Sequence, residues 1–107
     1  MQPENTILIV DDRKSTLKVI SAILNDEGYH VLQAASGFEA LDIFRRRKEI
    51  DAVLSDLKMP GMDGLDLYRQ MKKIRTPPPF IIMTAYGTVQ SAVQALKEGA
   101  ANYLINP

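Results

Sequence analysis

Three aspartates and a threonine stand at the ends of short apolar runs. Asp11 and Asp12 follow Thr6–Val10, Asp56 follows Ala52–Ser55, and Thr84 closes Phe80–Thr84. In open parallel sheets, ligand-binding groups gather beyond the carboxyl ends of the strands. Were these runs neighbouring strands of one such sheet, three carboxylates and a hydroxyl would converge in one shallow crevice. Two carboxylates about 5 Å apart repel by roughly 3 kcal/mol at an effective dielectric of about 20. A hard divalent cation relieves that repulsion, and an oxygen-only set with few protein ligands suits Mg²⁺ or Mn²⁺. Helix capping by Asp11 or Asp12 accounts for one of the pair. It does not account for two adjacent acids aligned with a third. A metal among carboxylates, with positions left open, attracts phosphate, and a carboxylate can itself be the nucleophile that forms an acyl phosphate. Asp56 is the best placed for this, between the acid pair and Thr84, whose hydroxyl could donate to a phosphoryl oxygen. No general base other than the acids is visible, which favours a slowly released phosphoryl group over a dedicated hydrolase.

The elements that must position these groups alternate along the chain. Apolar, β-branched runs at Thr6–Val10, His30–Ala35, Ala52–Ser55, Phe80–Thr84 and Asn102–Ile105 are expected strands. Between them lie segments with helical spacing. The first carries Leu17, Ile20, Ile23 and Leu24 and ends at Gly28; the second opens at Ser36–Gly37 and carries Ala40, Leu41 and Phe44. The third follows Gly64 with Leu65, Leu67, Tyr68 and Met71, and the fourth runs from about Thr88 to Gly99. Strand, helix, strand, repeated, predicts an α/β fold with a parallel sheet covered on both faces. Ile7–Val10 and Phe80–Met83 are apolar throughout, as central strands are. Arg45–Lys48 reads as cations in the last turn of the second helix rather than as a nucleic-acid patch. Pro77–Pro79 reads as a stiff spacer.

The 107 residues make one domain, and 46 % hydrophobic with 24 % charged residues argues against disorder. Lys plus Arg equals Asp plus Glu at 13 each, so bulk charge gives no reason to expect nucleic acid or an anionic membrane as partner. There is no Cys and one His, His30, which excludes disulfides, thiol catalysis and multi-histidine metal sites. No apolar run is long enough to span a membrane, and the N-terminus lacks a signal peptide's pattern, so a cytoplasmic location is expected.

The stretches ILIVDD (Ile7–Asp12), LSDLKMPGMDG (Leu54–Gly64), IIMTAYG (Ile81–Gly87) and ALKEGAANYLINP (Ala95–Pro107) resemble, in order and spacing, the receiver domain of two-component response regulators. TAYGTV and ALKEGA look most like receivers of the nitrogen-regulatory class of transcriptional activators. The resemblance implies a flavodoxin-like, doubly wound, five-stranded parallel sheet of order 2-1-3-4-5. It also implies a histidine kinase as phosphodonor to Asp56, with Mg²⁺ held by Asp12, by Asp11 partly through water, by Asp56 and by the backbone carbonyl of Lys58. Thr84 would be the switch hydroxyl and Tyr103 the switch aromatic. Ala85 would leave access for the phosphodonor, while Lys58 and Tyr86 would tune the lifetime of the phosphoryl group. The switched surface would be Thr88–Gly99 with Tyr103, a face that a homodimer could use. An output domain, attached or separate, would read it.

Two features depart from the family pattern. Asn106 stands where the family has a lysine, so a charge-assisted bond of roughly 1.5–3 kcal/mol is replaced by a neutral one of about 1. Asn106–Pro107 could still be cis, as the family's bond is. The fifth helix is also absent, which suggests an excerpt from a longer protein with a C-terminal output domain. Asn106 supports an alternative: a receiver-like binding module that works without phosphate. A third class, an aspartyl-nucleophile phosphatase with an Asp-x-Asp motif, is disfavoured because Lys58 stands two residues beyond Asp56. Bland roles remain for others: Tyr103 as a strand aromatic, Pro60, Gly61 and Gly64 as turn residues, and Met59, Met62 and Met83 as packing.

Overall fold

Ile7 and Ile9 point to one side of strand β1 (Thr6–Val10), Leu8 and Val10 to the other, and all four are buried. A strand with no solvent face has to lie inside a sheet covered on both sides. The computed structural model, which describes residues 5–83 and the strand at 102–105, shows that arrangement. The further elements are α1 (Lys14–Asp26), β2 (His30–Ala34), α2 (Gly37–Arg46), β3 (Ile50–Asp56), α3 (Gly64–Ile74), β4 (Phe80–Met83) and β5 (Asn102–Ile105). The strands pair in parallel in the order β2-β1-β3-β4-β5. This is the flavodoxin-like order expected from the sequence. The fourth helix expected over Thr88–Gly99, together with Thr84, Ala85, Tyr86, Asn106 and Pro107, lies outside the described residues.

Strand alternation divides the interior into two cores. One packs α1, through Leu17, Ile20 and Leu24, on Ile7, Ile9, Ala52, Leu54, Ile81 and Met83. The other packs α2 and α3, through Ala40, Leu41, Phe44, Leu67 and Met71, on Leu8, Val10, Val53, Phe80 and Ile82. The i, i+3, i+7 spacing of the α1 residues is what lets a helix lie along a sheet. Met59 and Met83 are buried packing residues, as anticipated, and Met62 is partly buried against the second core.

Helix ends are written locally. After α1, Gly28 takes φ 94°, and Tyr29 N–H and Gly28 N–H donate to the carbonyls of Leu24 (3.1 Å) and Asn25 (3.0 Å). That pair of bonds is a Schellman stop, and only glycine adopts its backbone angle at low cost. Ser36 caps α2 by accepting from Glu39 N–H at 3.1 Å, while the Glu39 carboxylate accepts from Ala35 N–H at 2.7 Å. Asp63 and Asp66 form a reciprocal capping box on α3. The basic run sits slightly differently from expectation. Only Arg45 and Arg46 occupy the last turn of α2; Arg47 pairs with Glu49 beyond the helix end, because α2 stops at Arg46.

Phe44 joins the two helices of the second core. Its ring is buried, and the Arg75 guanidinium lies 3.7 Å from its centroid while donating to the Arg47 carbonyl at 3.0 Å. Phe44→Ala should therefore cost about 3–5 kcal/mol by urea denaturation, whereas truncation of the exposed Phe38 on the same helix should cost well under half of that.

Candidate functional site

Strand β1 is followed by a crossover to β2 on one side, and β2 by a crossover to β3 on the other. The chain direction across the sheet reverses there, which opens a crevice beyond the carboxyl ends of β1 and β3. Val10 lies opposite Ser55, so the next residue on each strand, Asp11 and Asp56, enters the crevice side by side. Asp11, Asp12 and Asp56 each offer a carboxylate oxygen, and these three atoms lie within 4.8 Å of one another. Asp11 is 1 % and Asp56 5 % exposed, while Asp12 faces solvent. A cleft of about 250 Å³, lined by Asp12, Arg13, Asp56 and Lys58, leads to them. The sequence-predicted acids are thus brought together. Tyr103 sits on β5 opposite Ile81, but its side chain, like Thr84 and Asn106, lies outside the described residues.

The residue after the buried acid is held by backbone hydrogen bonds on both sides. Leu57 N–H donates to Met83 O at 2.9 Å, and Leu57 O accepts from Gly64 N–H at 2.8 Å. Gly64 can come so close because it has no side chain: a Cβ there would stand 2.6 Å from the Asp56 carbonyl oxygen. This glycine therefore does more than turn the chain. It lets the first turn of α3 pack on the backbone that carries Asp56. Asp63 and Asp66 are nearby acids, but capping occupies them.

Neither Asp11 nor Asp12 caps α1 in the ordinary sense; the residue at the cap position is Arg13, with no side-chain cap. Asp11 instead accepts from Arg13 three times, from its N–H (2.9 Å), its Nε (3.1 Å) and its Nη2 (3.0 Å). The same Nη2 lies 3.9 Å from Asp56 Oδ2. Sequence reading passes over Arg13. The signal was its place directly after the acid pair, yet only the folded turn shows that the guanidinium comes back over Asp11. The larger hollow of about 410 Å³, bounded by Lys14, Leu17, Lys18, Gln33, Ala35 and Glu39, is lined by none of the three aspartates and by a single acid, Glu39.

Charge crowding shows in the acidities. Burial, followed by the neighbouring Asp11 carboxylate, pushes Asp56 above the usual aspartate value, against the opposing pull of Arg13 and of the Lys58 and Leu57 backbone groups. Hydrogen bonding to Asp11, and then its charge, raises Arg13. An all-oxygen donor set with one exposed side is chemically suited to a hard divalent cation, which would remove this penalty.

Comparison with known proteins agrees with this geometry. The family model for the response regulator receiver domain matches residues 7–107. This chain belongs to that family. It is 41 % identical over 101 residues to the transcriptional regulatory protein GlrR of Escherichia coli K12, covering 94 % of this chain and 22 % of GlrR. The resemblance of TAYGTV and ALKEGA to receivers of transcriptional activators is consistent with that relative. Among solved structures, a response regulator receiver domain protein from Clostridium thermocellum superposes with TM-score 0.76 at 41 % identity, covering 95 % of this chain and 82 % of that one. The response regulator TrrA of Thermotoga maritima, in complex with Mg²⁺-BeF, superposes with TM-score 0.76 at 30 % identity, covering 96 % and 87 %. The domain is therefore a two-component signalling module rather than a conventional enzyme. Among the described residues, no helix is long and apolar enough to cross a membrane.

The raised pKa of Asp56 has a thermodynamic consequence. The folded state holds a proton that the unfolded chain has already released, so stability falls as pH rises from the unfolded aspartate value through the folded one. In chelator at pH 7, Asp56→Asn should raise the melting temperature by roughly 4 °C, the effect of about 1 kcal/mol in a domain of this size. That gain should shrink as pH is lowered toward the unfolded aspartate value; differential scanning calorimetry at several pH values checks it.

Proposed function

We propose that Asp56 is the phosphoacceptor of a two-component receiver and takes its phosphoryl group from a histidine kinase. The observation that carries this reading is the placement of Asp56, nearly buried at the end of a central strand, with oxygens of Asp11 and Asp12 within 4.8 Å. One Asp56 carboxylate oxygen forms a bond to phosphorus as the bond from phosphorus to the donor's imidazole nitrogen breaks. The imidazole leaves with the electron pair, and the product is an acyl phosphate. Asp11, Asp12, Asp56 and the carbonyl of Lys58 would hold Mg²⁺ (or Mn²⁺), which supplies charge neutralisation for the phosphoryl oxygens. The Mg²⁺-BeF complex of TrrA supports this part of the reading.

Thr84 would then turn toward the phosphoryl oxygens and Tyr103 would follow, reshaping the face formed by Thr88–Gly99 and β5. A two-state surface of that kind needs differential contacts in its two states, and the phosphoryl–hydroxyl bond supplies one. A second copy of the domain, or an output domain attached or separate, would read the surface. GlrR, of which this chain matches only a fifth or so by length, supports an output concerned with transcription. A transcriptional regulator works beside the chromosome, so the cytoplasm is the compartment this reading implies. The domain itself would contact neither nucleic acid nor membrane.

The second reading, a phosphate-independent binding module, rests on Asn106 in place of the family's lysine. Intact-mass measurement after incubation with acetyl phosphate and Mg²⁺ separates the two. The parent should gain one alkali-labile phosphoryl adduct that chelator prevents, and Asp56→Ala should gain none. Asn106→Lys should label about tenfold faster, the effect of restoring roughly 1.4 kcal/mol of charge-assisted bonding. A folded parent and a folded Asn106→Lys that both stay unlabelled would leave the binding module as the better reading.

A further inference from the structure

We infer that Arg13 is a built-in counter-cation of the acid cluster, which a divalent cation must displace from Asp11 before it can bind. This rests on the metal site proposed above. The guanidinium fork takes both Asp11 oxygens, Nε on Oδ1 at 3.1 Å and Nη2 on Oδ2 at 3.0 Å. The Arg13 backbone N–H adds a third donor to Oδ1 at 2.9 Å. Asp11 is the most enclosed of the three acids, so these donors engage both oxygens of a carboxylate that has little access to water. The fork also leans toward Asp56, 3.9 Å away, and therefore spans two of the three groups whose oxygens converge.

Arg13 fills three of the roughly four lone-pair sites of this carboxylate, so an incoming cation competes with the guanidinium for the same oxygens and is repelled by its charge. Only the head of Arg13 is held: its side chain is 53 % exposed, so it can swing into solvent without opening either core. The backbone N–H can stay on Oδ1 throughout. Arg13 thus neutralises the cluster when no cation is bound, and its release is part of the cost of binding one.

Titration calorimetry with Mg²⁺ on the parent, Arg13→Gln and Arg13→Lys, paired with melting temperatures in chelator and in saturating Mg²⁺, tests this. Arg13→Gln should bind Mg²⁺ about tenfold tighter or more, as expected for losing a bidentate charge-assisted competitor. Arg13→Lys, which keeps the charge but not the fork, should fall between. In chelator Arg13→Gln should melt below the parent, since it leaves Asp11 buried without its partner. Saturating Mg²⁺ should erase that difference, because the cation then performs the same neutralisation. Equal Mg²⁺ affinity in all three, Arg13→Lys matching the parent, or a melting difference that Mg²⁺ leaves unchanged would each overturn the displacement while leaving the metal site standing. Absence of Mg²⁺ binding in all three folded proteins would overturn the metal site as well.

Discussion

Like charge crowded against a nonpolar sheet is the constraint around which this domain is built. Asp11 and Asp56 stand at the ends of adjacent central strands, both nearly out of contact with water, with Asp12 beside them. Any fold that places carboxylates there does so against burial and mutual repulsion, and the raised pKa of Asp56 is the mark of it. The strands must therefore be stabilised elsewhere. The apolar stretches Ile7–Val10 of β1, Ala52–Leu54 of β3 and Phe80–Met83 of β4, covered by α1 on one face and by α2 and α3 on the other, supply that stabilisation.

The same strands fix the site's geometry. Because side chains alternate across a strand, a slip of one residue between β1 and β3 would carry Ile7 and Ile9 into the wrong core and turn Asp11 away from Asp56. Burial on both faces penalises such a slip at every position. The backbone hydrogen bonds from Leu57 N–H to Met83 O and from Gly64 N–H to Leu57 O then set the direction in which the chain leaves Asp56. The acids are held in place by the packing of residues that never touch them. Their cationic side-chain partner among the described residues, Arg13, comes from the loop between β1 and α1.

Much of this was legible in the residues. Strands Thr6–Val10 and Asn102–Ile105 lie where the apolar runs put them, and the stop at Gly28 and the start at Ser36 follow from local chemistry that needs no tertiary context. β3 begins earlier than its apolar run suggested, at Ile50. Asp51 looks like a break in the pattern, yet it lies at the register shift between Thr6 and Ile7, where its carboxylate accepts from Thr6 N–H at 2.7 Å. Convergence of Asp11, Asp12 and Asp56 was legible because strand order places β1 beside β3. The Arg13 fork was not, because a side-chain conformation two residues from its partner leaves no periodic trace. Nor was the closeness of Gly64 to Asp56, which depends on how α3 approaches the sheet.

Asn106 is weighed differently once Arg13 is in view. A cluster of three carboxylates with no cation near it would argue for a site that works only when metal is present. Here a guanidinium already spans Asp11 and approaches Asp56. In the metal-free state the crevice therefore has a positive group of its own, anchored at the start of α1; under the displacement proposed above it leaves Asp11 when a divalent cation binds, so it does not stand in for the family's lysine during phosphoryl transfer. Positive charge is what an incoming phosphoryl group needs from its surroundings, whereas coupling to the β5 face needs that charge at one particular place. On the proposed reading, the substitution at 106 therefore bears on both steps, because neither the bound cation nor the displaced guanidinium brings a positive charge to the position after β5.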